Sequence, residues 1–187
     1  PVAAGRWVHV LGQVGAALGE ADLRGFVHRD VKPENVMLCR RGEDDVVKLL
    51  DFGLVKNLER AETRDVTKQL NILGTPRYMA PERLLNPADV DARSDIYALG
   101  AVGYFLLTAK PIFDGDDSLA ISNQVLHAPA PKVSASGVAV PEALDALVRL
   151  GLPVNPHRAV AMNAEEVRAF LAEWREMLTT HFGEVTS

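Results

Sequence analysis

Trp7, Leu11, Val14, Leu18 and Ala21 recur at alternating steps of four and three, the spacing of one helical face. They predict an amphipathic helix from about Arg6 to Leu23, ended by Gly25. Phe26-Val27 reads as a buried segment leading into His28. Val36-Met37-Leu38 and Val46-Val47-Lys48-Leu49-Leu50 then predict two short strands. Arg40 to Asp45, charged and containing Gly42, is the turn between them. Such a hairpin delivers Asn35 and Asp51 to the same end, on the side where Asp30 lies.

Residues 57–71 are polar, lack a sustained apolar period and read as a loop. Gly74 to Met79 begins the return to ordered structure. Ser94 is a suitable N-cap for a helix from Asp95 to about Leu107. Ile96, Leu99, Ala101, Val102, Phe105, Leu106 and Leu107 leave it little polar face, which predicts a central buried helix. Lys110-Pro111 breaks it, and a weaker helix follows near Ser118 to His127. Pro141 suits a first helical turn, with Leu144, Leu147 and Val148 on one face. Asn163 and Glu166 form a capping-box pattern ahead of Val167, Phe170, Leu171 and Trp174. The predicted architecture is mainly α, built on one central helix with a small hairpin carrying polar groups.

Composition narrows the picture without changing it. At 187 residues the chain is long enough for one domain with a sizeable core. Apolar residues make up 48% and charged residues 24%, as in ordinary globular proteins. The net charge of -5 and the lack of a Lys/Arg cluster argue against nucleic acid as the main partner. Cys39, the only cysteine, excludes an intramolecular disulfide and reads as a buried, inert thiol in a reducing, cytoplasmic setting. The longest apolar run, Ala98 to Leu107, is too short to span a bilayer, so no membrane contact is expected from this chain.

The chemistry lies in three blocks. His28-Arg29-Asp30-Val31-Lys32-Pro33-Glu34-Asn35 comes first, Asp51-Phe52-Gly53 follows the hairpin, and Gly74-Thr75-Pro76-Arg77-Tyr78-Met79-Ala80-Pro81-Glu82 comes third. Asp30 is a carboxylate that can take a hydroxyl proton, and Lys32 an ammonium for a phosphate. Asn35 and Asp51 are hard oxygen ligands suited to Mg²⁺. Gly53 lets the segment after Asp51 turn sharply.

In that order and spacing, the blocks resemble the catalytic loop, metal loop and activation-segment end of eukaryotic-type serine/threonine protein kinases, with a bacterial flavour. The resemblance covers nearly the whole chain and implies the family's C-terminal lobe over residues 1–178, with a tail at 179–187. It implies ATP and Mg²⁺ as cofactors and a protein with a Ser or Thr acceptor as substrate. Asp30, Lys32 and Thr75 take the catalytic positions, Asn35 and Asp51 the metal positions, and Lys32, Glu34, Asn35, Met37 and Asp51 the nucleotide positions. Thr75 is expected to hydrogen-bond to Asp30 and Lys32, and Met37 to pack beneath the adenine. The resemblance also implies that Asp95 anchors the backbone of the catalytic loop and that Glu82 and Arg158 form a buried ion pair. Arg29 would pair with a phosphate on the activation loop, for which Thr63 and Thr67 are the acceptors. His28 reads as a packed, hydrogen-bonded core residue; His9, His127, His157 and His181 read as surface or capping groups.

Departures from the family pattern are Tyr97, where tryptophan is more frequent, and the flanks of Pro156 and Arg158. The first lysine is Lys32, and Gly12, Gly15 and Gly19 have the wrong spacing for a phosphate-covering loop. The family's N-terminal lobe, with its glycine-rich lid, strand lysine and helix glutamate, is therefore not represented. The expectation is weak or absent transfer by this chain alone. The competing expectation is a scaffold that binds peptides or proteins without catalysis. Self-association through apolar surface that would otherwise face the upper lobe is a further expectation.

Overall fold

The computed structural model describes residues 4–41, 44–52, 76–86 and 90–140, together with Glu142, Asp145 and Val148. Helix α1 spans Ala4–Leu23. The predicted stripe faces inward: Trp7, Leu11 and Val14 are fully buried, and Leu18 and Ala21 nearly so. Gly25 closes the helix in the left-handed region, at φ 75°. There the Phe26 N–H donates to the Ala21 carbonyl at 2.9 Å and the Gly25 N–H to Asp22 at 2.8 Å, which satisfies carbonyls that the helix end leaves open.

Strands β1, Val36–Arg41, and β2, Asp44–Leu49, pair antiparallel with Val36 opposite Leu49. The strands are longer than the apolar pattern indicated, because Arg40 pairs with Asp45 and Arg41 with Asp44. Backbone hydrogen bonding thus extends through charged positions that a hydrophobicity reading leaves to the turn. A two-stranded sheet is marginal alone. This one is fastened to α1 by Gln13, whose Oε1 accepts from the Val47 N–H at 2.9 Å and whose Nε2 donates to the Asp45 carbonyl at 2.9 Å. Arg6 adds a fork onto the Asp45 carboxylate, with its Nε 2.6 Å from Oδ2.

Helix α2 spans Pro81–Leu85, α3 spans Ala92–Thr108 and α4 spans Ser118–His127. Helix α3 is the centre of the molecule, with residues from Ser94 to Tyr104 all buried. It begins earlier than its apolar pattern suggests. Asp91, not Ser94, is the N-cap and accepts from the Arg93 N–H at 2.9 Å; Ser94 lies inside the helix and donates instead to Glu82. Helix α1 crosses α3 closely at Gly103, where an added Cβ would sit 2.9 Å from Leu11 Cδ1 and 3.1 Å from Trp7 Cζ2. Short 3-10 turns at Pro33–Asn35, Pro76–Tyr78 and Val133–Ser136 connect the rest, and Glu142, Asp145 and Val148 have helical backbone.

Two burial expectations need correction. Phe26 is 59% exposed, because the closing turn at Gly25 swings it off the inner face. Cys39 is only partly buried, on a strand with one neighbour. The predicted helix near 163–174, the loop at 57–71, His157 and His181 lie outside the described residues.

Candidate active site

The loop from His28 to Lys32 is held by groups from three directions. From below, the Asp95 carboxylate in the first turn of α3 accepts from the backbone N–H of His28 at 2.7 Å and of Arg29 at 2.8 Å. From within, the Asp30 N–H donates to His28 Nδ1 at 3.2 Å. That bond requires a bare Nδ1, so the proton sits on Nε2, which donates to the Leu50 carbonyl at 3.0 Å. Burial lowers the pKa of His28, consistent with a neutral ring. Its ring also packs against Phe52, centroids 4.6 Å apart. His28 therefore couples the loop to the end of β2 and plays the structural part expected of it.

Asn35 makes the third set of bonds. Its Nδ2 donates to the Asp30 carbonyl at 2.7 Å and to Asp30 Oδ2 at 3.1 Å. Its own carbonyl accepts from the Leu50 N–H at 2.8 Å, one residue before Asp51. Lys32 Nζ lies 2.8 Å from the same Asp30 Oδ2. Both donors thus converge on one carboxylate oxygen, and among the described residues Oδ1 of Asp30 takes no hydrogen bond. Burial raises the Asp30 pKa, but the hydrogen bond and charge of Lys32, the Asn35 amide and the charge of Arg83 outweigh it and leave the group below the usual carboxylate range. At neutral pH it is an anion, and no described residue occupies its second oxygen.

Two backbone positions at the site carry strain. Arg29 has φ 66° and Asp51 φ 54°, both left-handed and neither glycine. Such conformations cost about 1–2 kcal/mol per residue and persist only where surrounding bonds hold them. Asp51 is exposed beside the Asn35 end of the hairpin. The Oδ1 of buried Asn35 and the Asp51 carboxylate are hard oxygens without a hydrogen bond among the described residues, a donor set that fits Mg²⁺. Met37 is 46% exposed and offers an apolar surface on β1.

Beside this cluster runs a groove of about 680 Å³, lined among others by Asp30, Lys32, Glu34, Tyr78, Phe105 and Asp114. Tyr78 and Phe105 meet edge to face at 6.4 Å. Burial, then the Glu34 charge, pushes the Tyr78 hydroxyl up to about 12. Arg77 bonds Asp114 at 2.5 Å across the rim. Glu34 is exposed on this groove. Sequence reasoning missed the groove wall, because Phe105 and Asp114 come from a distant helix and the turn after it. Thr75, Gly53, Thr63, Thr67 and Arg158 lie outside the described residues. Glu82 accepts from Ser94 Oγ at 2.6 Å, and its Oε2 is buried without a partner among the described residues.

Asp95 carries a testable pH signature. Burial pushes its carboxyl up to about 6, against the pull of two N–H donors. A raised carboxyl pKa means that the folded chain holds the proton more tightly than the unfolded one. This contribution to stability is full below 3.8 and is lost as pH rises through about 6. Asp95→Asn removes that dependence, so the variant should gain stability relative to wild type as pH is raised from 4 to 7. Urea denaturation at both pH values checks this; a constant gap between the two proteins would count against a buried, titrating Asp95.

This fold and this hydrogen-bonded loop are those of protein kinases. A family model described as "Protein kinase domain" matches residues 4–168, and the chain belongs to that family. Bacterial serine/threonine kinases are among its relatives. It is 41% identical to the serine/threonine-protein kinase Pkn1 of Myxococcus xanthus, covering 98% of this chain and 25% of that protein. It is 37% identical to PknB of Mycolicibacterium smegmatis (94% and 27%) and 41% to PknL of Mycobacterium tuberculosis (84% and 39%). The kinase domain of Mycobacterium tuberculosis PknI, solved as a double mutant, superposes with a TM-score of 0.62 at 27% identity. That match covers 95% of this chain and 57% of the other. The chain thus spans between a quarter and two fifths of these curated relatives, and corresponds to the C-terminal-lobe part of a kinase domain.

Proposed function

We propose that this chain supplies the catalytic loop, metal loop and peptide groove of a serine/threonine kinase that transfers the γ-phosphate of ATP to a protein hydroxyl. The observation that carries the reading is the arrangement at Asp30: Lys32 and Asn35 donate to one carboxylate oxygen, and among the described residues the other takes no hydrogen bond. That open oxygen accepts the hydrogen bond of a Ser or Thr hydroxyl and orients its lone pair toward phosphorus. With its pKa held low, Asp30 is a weak base, so it orients first and takes the proton late, as the oxygen–phosphorus bond forms.

Lys32 uses one N–H on Asp30 and has others to direct at phosphate oxygens. The Asn35 Oδ1 and the Asp51 carboxylate would hold Mg²⁺, which when bound with ATP neutralises phosphate charge. Met37 offers its exposed side chain to the base, and the Glu34–Tyr78–Phe105 groove receives the acceptor peptide. The serine/threonine preference is supported by Lys32 two residues after Asp30 and by the relatives' names. A reducing, cytoplasmic location suits the unpaired Cys39.

The test is incubation of the longest natural polypeptide containing these residues with Mg²⁺ and γ-labelled ATP, followed by phosphoamino-acid analysis. Label on serine or threonine is expected. Residues 1–187 alone, with no lysine before Lys32, should transfer at most weakly. Absence of transfer by the longer polypeptide, or label on tyrosine alone, would overturn the reading.

A further inference from the structure

Arg83 follows Ala80-Pro81-Glu82 in the short helix α2, whose other residues are proline, glutamate and two leucines. Its side chain is partly buried and turns back toward the loop before Asp30. It reaches back across 54 residues of sequence, and its Nη1 donates to the backbone carbonyl of Arg29. With Arg29, Asp30, Tyr78, Met79, Ser94 and Asp95 it lines a small, partly open pocket, and its charge faces both Asp30 and Asp95. Partial burial and the like charge of Arg29 both disfavour a guanidinium here, and the Arg29 carbonyl and the charges of Asp30 and Asp95 oppose them.

The position of the bond is informative. Arg29 is the left-handed residue immediately before Asp30, at φ 66°. Its N–H is held by Asp95 and its carbonyl by Arg83, so both backbone polar groups of the strained residue are tied. The carbonyl of Arg29 belongs to the peptide plane whose N–H is that of Asp30. Rotation of that plane turns the Asp30 Cα and re-aims its carboxylate. The other bonds to Asp30, from Lys32 and Asn35, act on its carboxylate or its carbonyl. Among the described residues, only the His28 Nδ1 contact and Arg83 act on the plane before it.

We propose that Arg83 is a positioning residue for Asp30, fixing the Arg29–Asp30 peptide plane and so the aim of the carboxylate. The inference rests on the kinase reading for its catalytic consequence, but its structural content stands apart from that reading. Misaiming a catalytic group by a fraction of an ångström slows the chemical step while leaving nucleotide and peptide contacts in place. The signature is therefore a fall in kcat with little change in KM.

In the longest natural polypeptide, Arg83→Met should lower kcat tenfold or more, with KM for ATP and for the acceptor peptide within about twofold. Hydrogen exchange at the Asp30 and Val31 amides should quicken while exchange in α3 stays at its wild-type rate. Arg83→Gln keeps a polar group but ends two bonds short of the arginine Nη, so it should show the same pattern; Arg83→Lys, which keeps the charge and ends one bond short, should recover part of kcat. If the methionine variant does not fold, the glutamine variant carries the test. Wild-type kcat and wild-type exchange in the folded variants would overturn the proposal, as would a loss confined to KM. If the wild-type polypeptide transfers no phosphate, the kinase reading fails and exchange alone decides the positioning role.

Discussion

Asp30→Asn is expected to reduce phosphate transfer by about 10²–10⁴-fold, the usual scale for removing a positioned acid–base group. Asparagine keeps the shape of the side chain and can still receive the Lys32 and Asn35 donors on its oxygen. Its other branch is then an N–H₂ group at the position of the open Oδ1. A donor in that place repels the incoming hydroxyl hydrogen instead of accepting it. The effect should fall on kcat, since neither the groove residues nor Met37 change. Folding should be disturbed far less. The Lys32–Asp30 pair is more than a third exposed on both sides, so its loss is worth about 0–1 kcal/mol at neutral pH. The sign of the pH dependence follows from the depressed carboxyl: its stabilisation exists above the unfolded value of 3.8 and fades as pH falls through the lower folded value. Steady-state kinetics on the longest natural polypeptide, with thermal melts in parallel, separate the two effects. A variant retaining a tenth or more of wild-type kcat would remove Asp30 from the role assigned to it.

The site was legible in the sequence to the extent that its geometry is local. Asp30, Lys32 and Asn35 lie within six residues, and one 3-10 turn at Pro33–Asn35 folds Asn35 back onto Asp30. The hairpin adds Asp51 through a register that the two apolar runs predict. The central helix was legible because nearly every face of it is apolar. What stayed hidden depends on contacts between distant segments. Arg83 looks like an ordinary surface charge on a short helix until the fold sets α2 against the catalytic loop. Phe105 reads as core of the central helix, yet it is only half-buried and edges Tyr78 in the groove. The start of α3 is ambiguous in sequence because Ser94 and Asp91 are both competent caps by residue type. The choice between them is made by Glu82, which takes the Ser94 hydroxyl from another helix. Hydrophobicity alone places Phe26 in the core, while the backbone at Gly25 decides which way it faces.

Trp7→Ala is expected to cost about 3–5 kcal/mol of stability, a large share of the 5–15 kcal/mol of a typical domain. Trp7 is fully buried, and its indole Nε1 donates to the Gly103 carbonyl at 2.7 Å in the middle of α3. Gly103 leaves the groove into which the ring fits, with Leu11 and Val148 on its flanks. Truncation opens a cavity that a helix–helix contact this close cannot readily collapse around. Trp7→Phe restores part of the ring but not the donor, so it should recover most of the packing and still lack about 1 kcal/mol. Urea denaturation of the two variants measures both quantities, and a loss under about 1 kcal/mol for alanine would mean that α1 does not depend on this crossing. The consequence reaches the site through Gln13 and Arg6 on the same helix. They hold β2 at Asp45 and Val47, and β2 sets Leu50 opposite Asn35. A helix α1 that shifts on α3 therefore moves the hairpin relative to Asp95, whose carboxylate anchors the catalytic loop from α3 itself. Asp30 and Asp51 are aligned only while those two supports keep their spacing. Among folded molecules, Trp7→Ala should accordingly lower kcat as well, which a mutation acting on stability alone would leave unchanged.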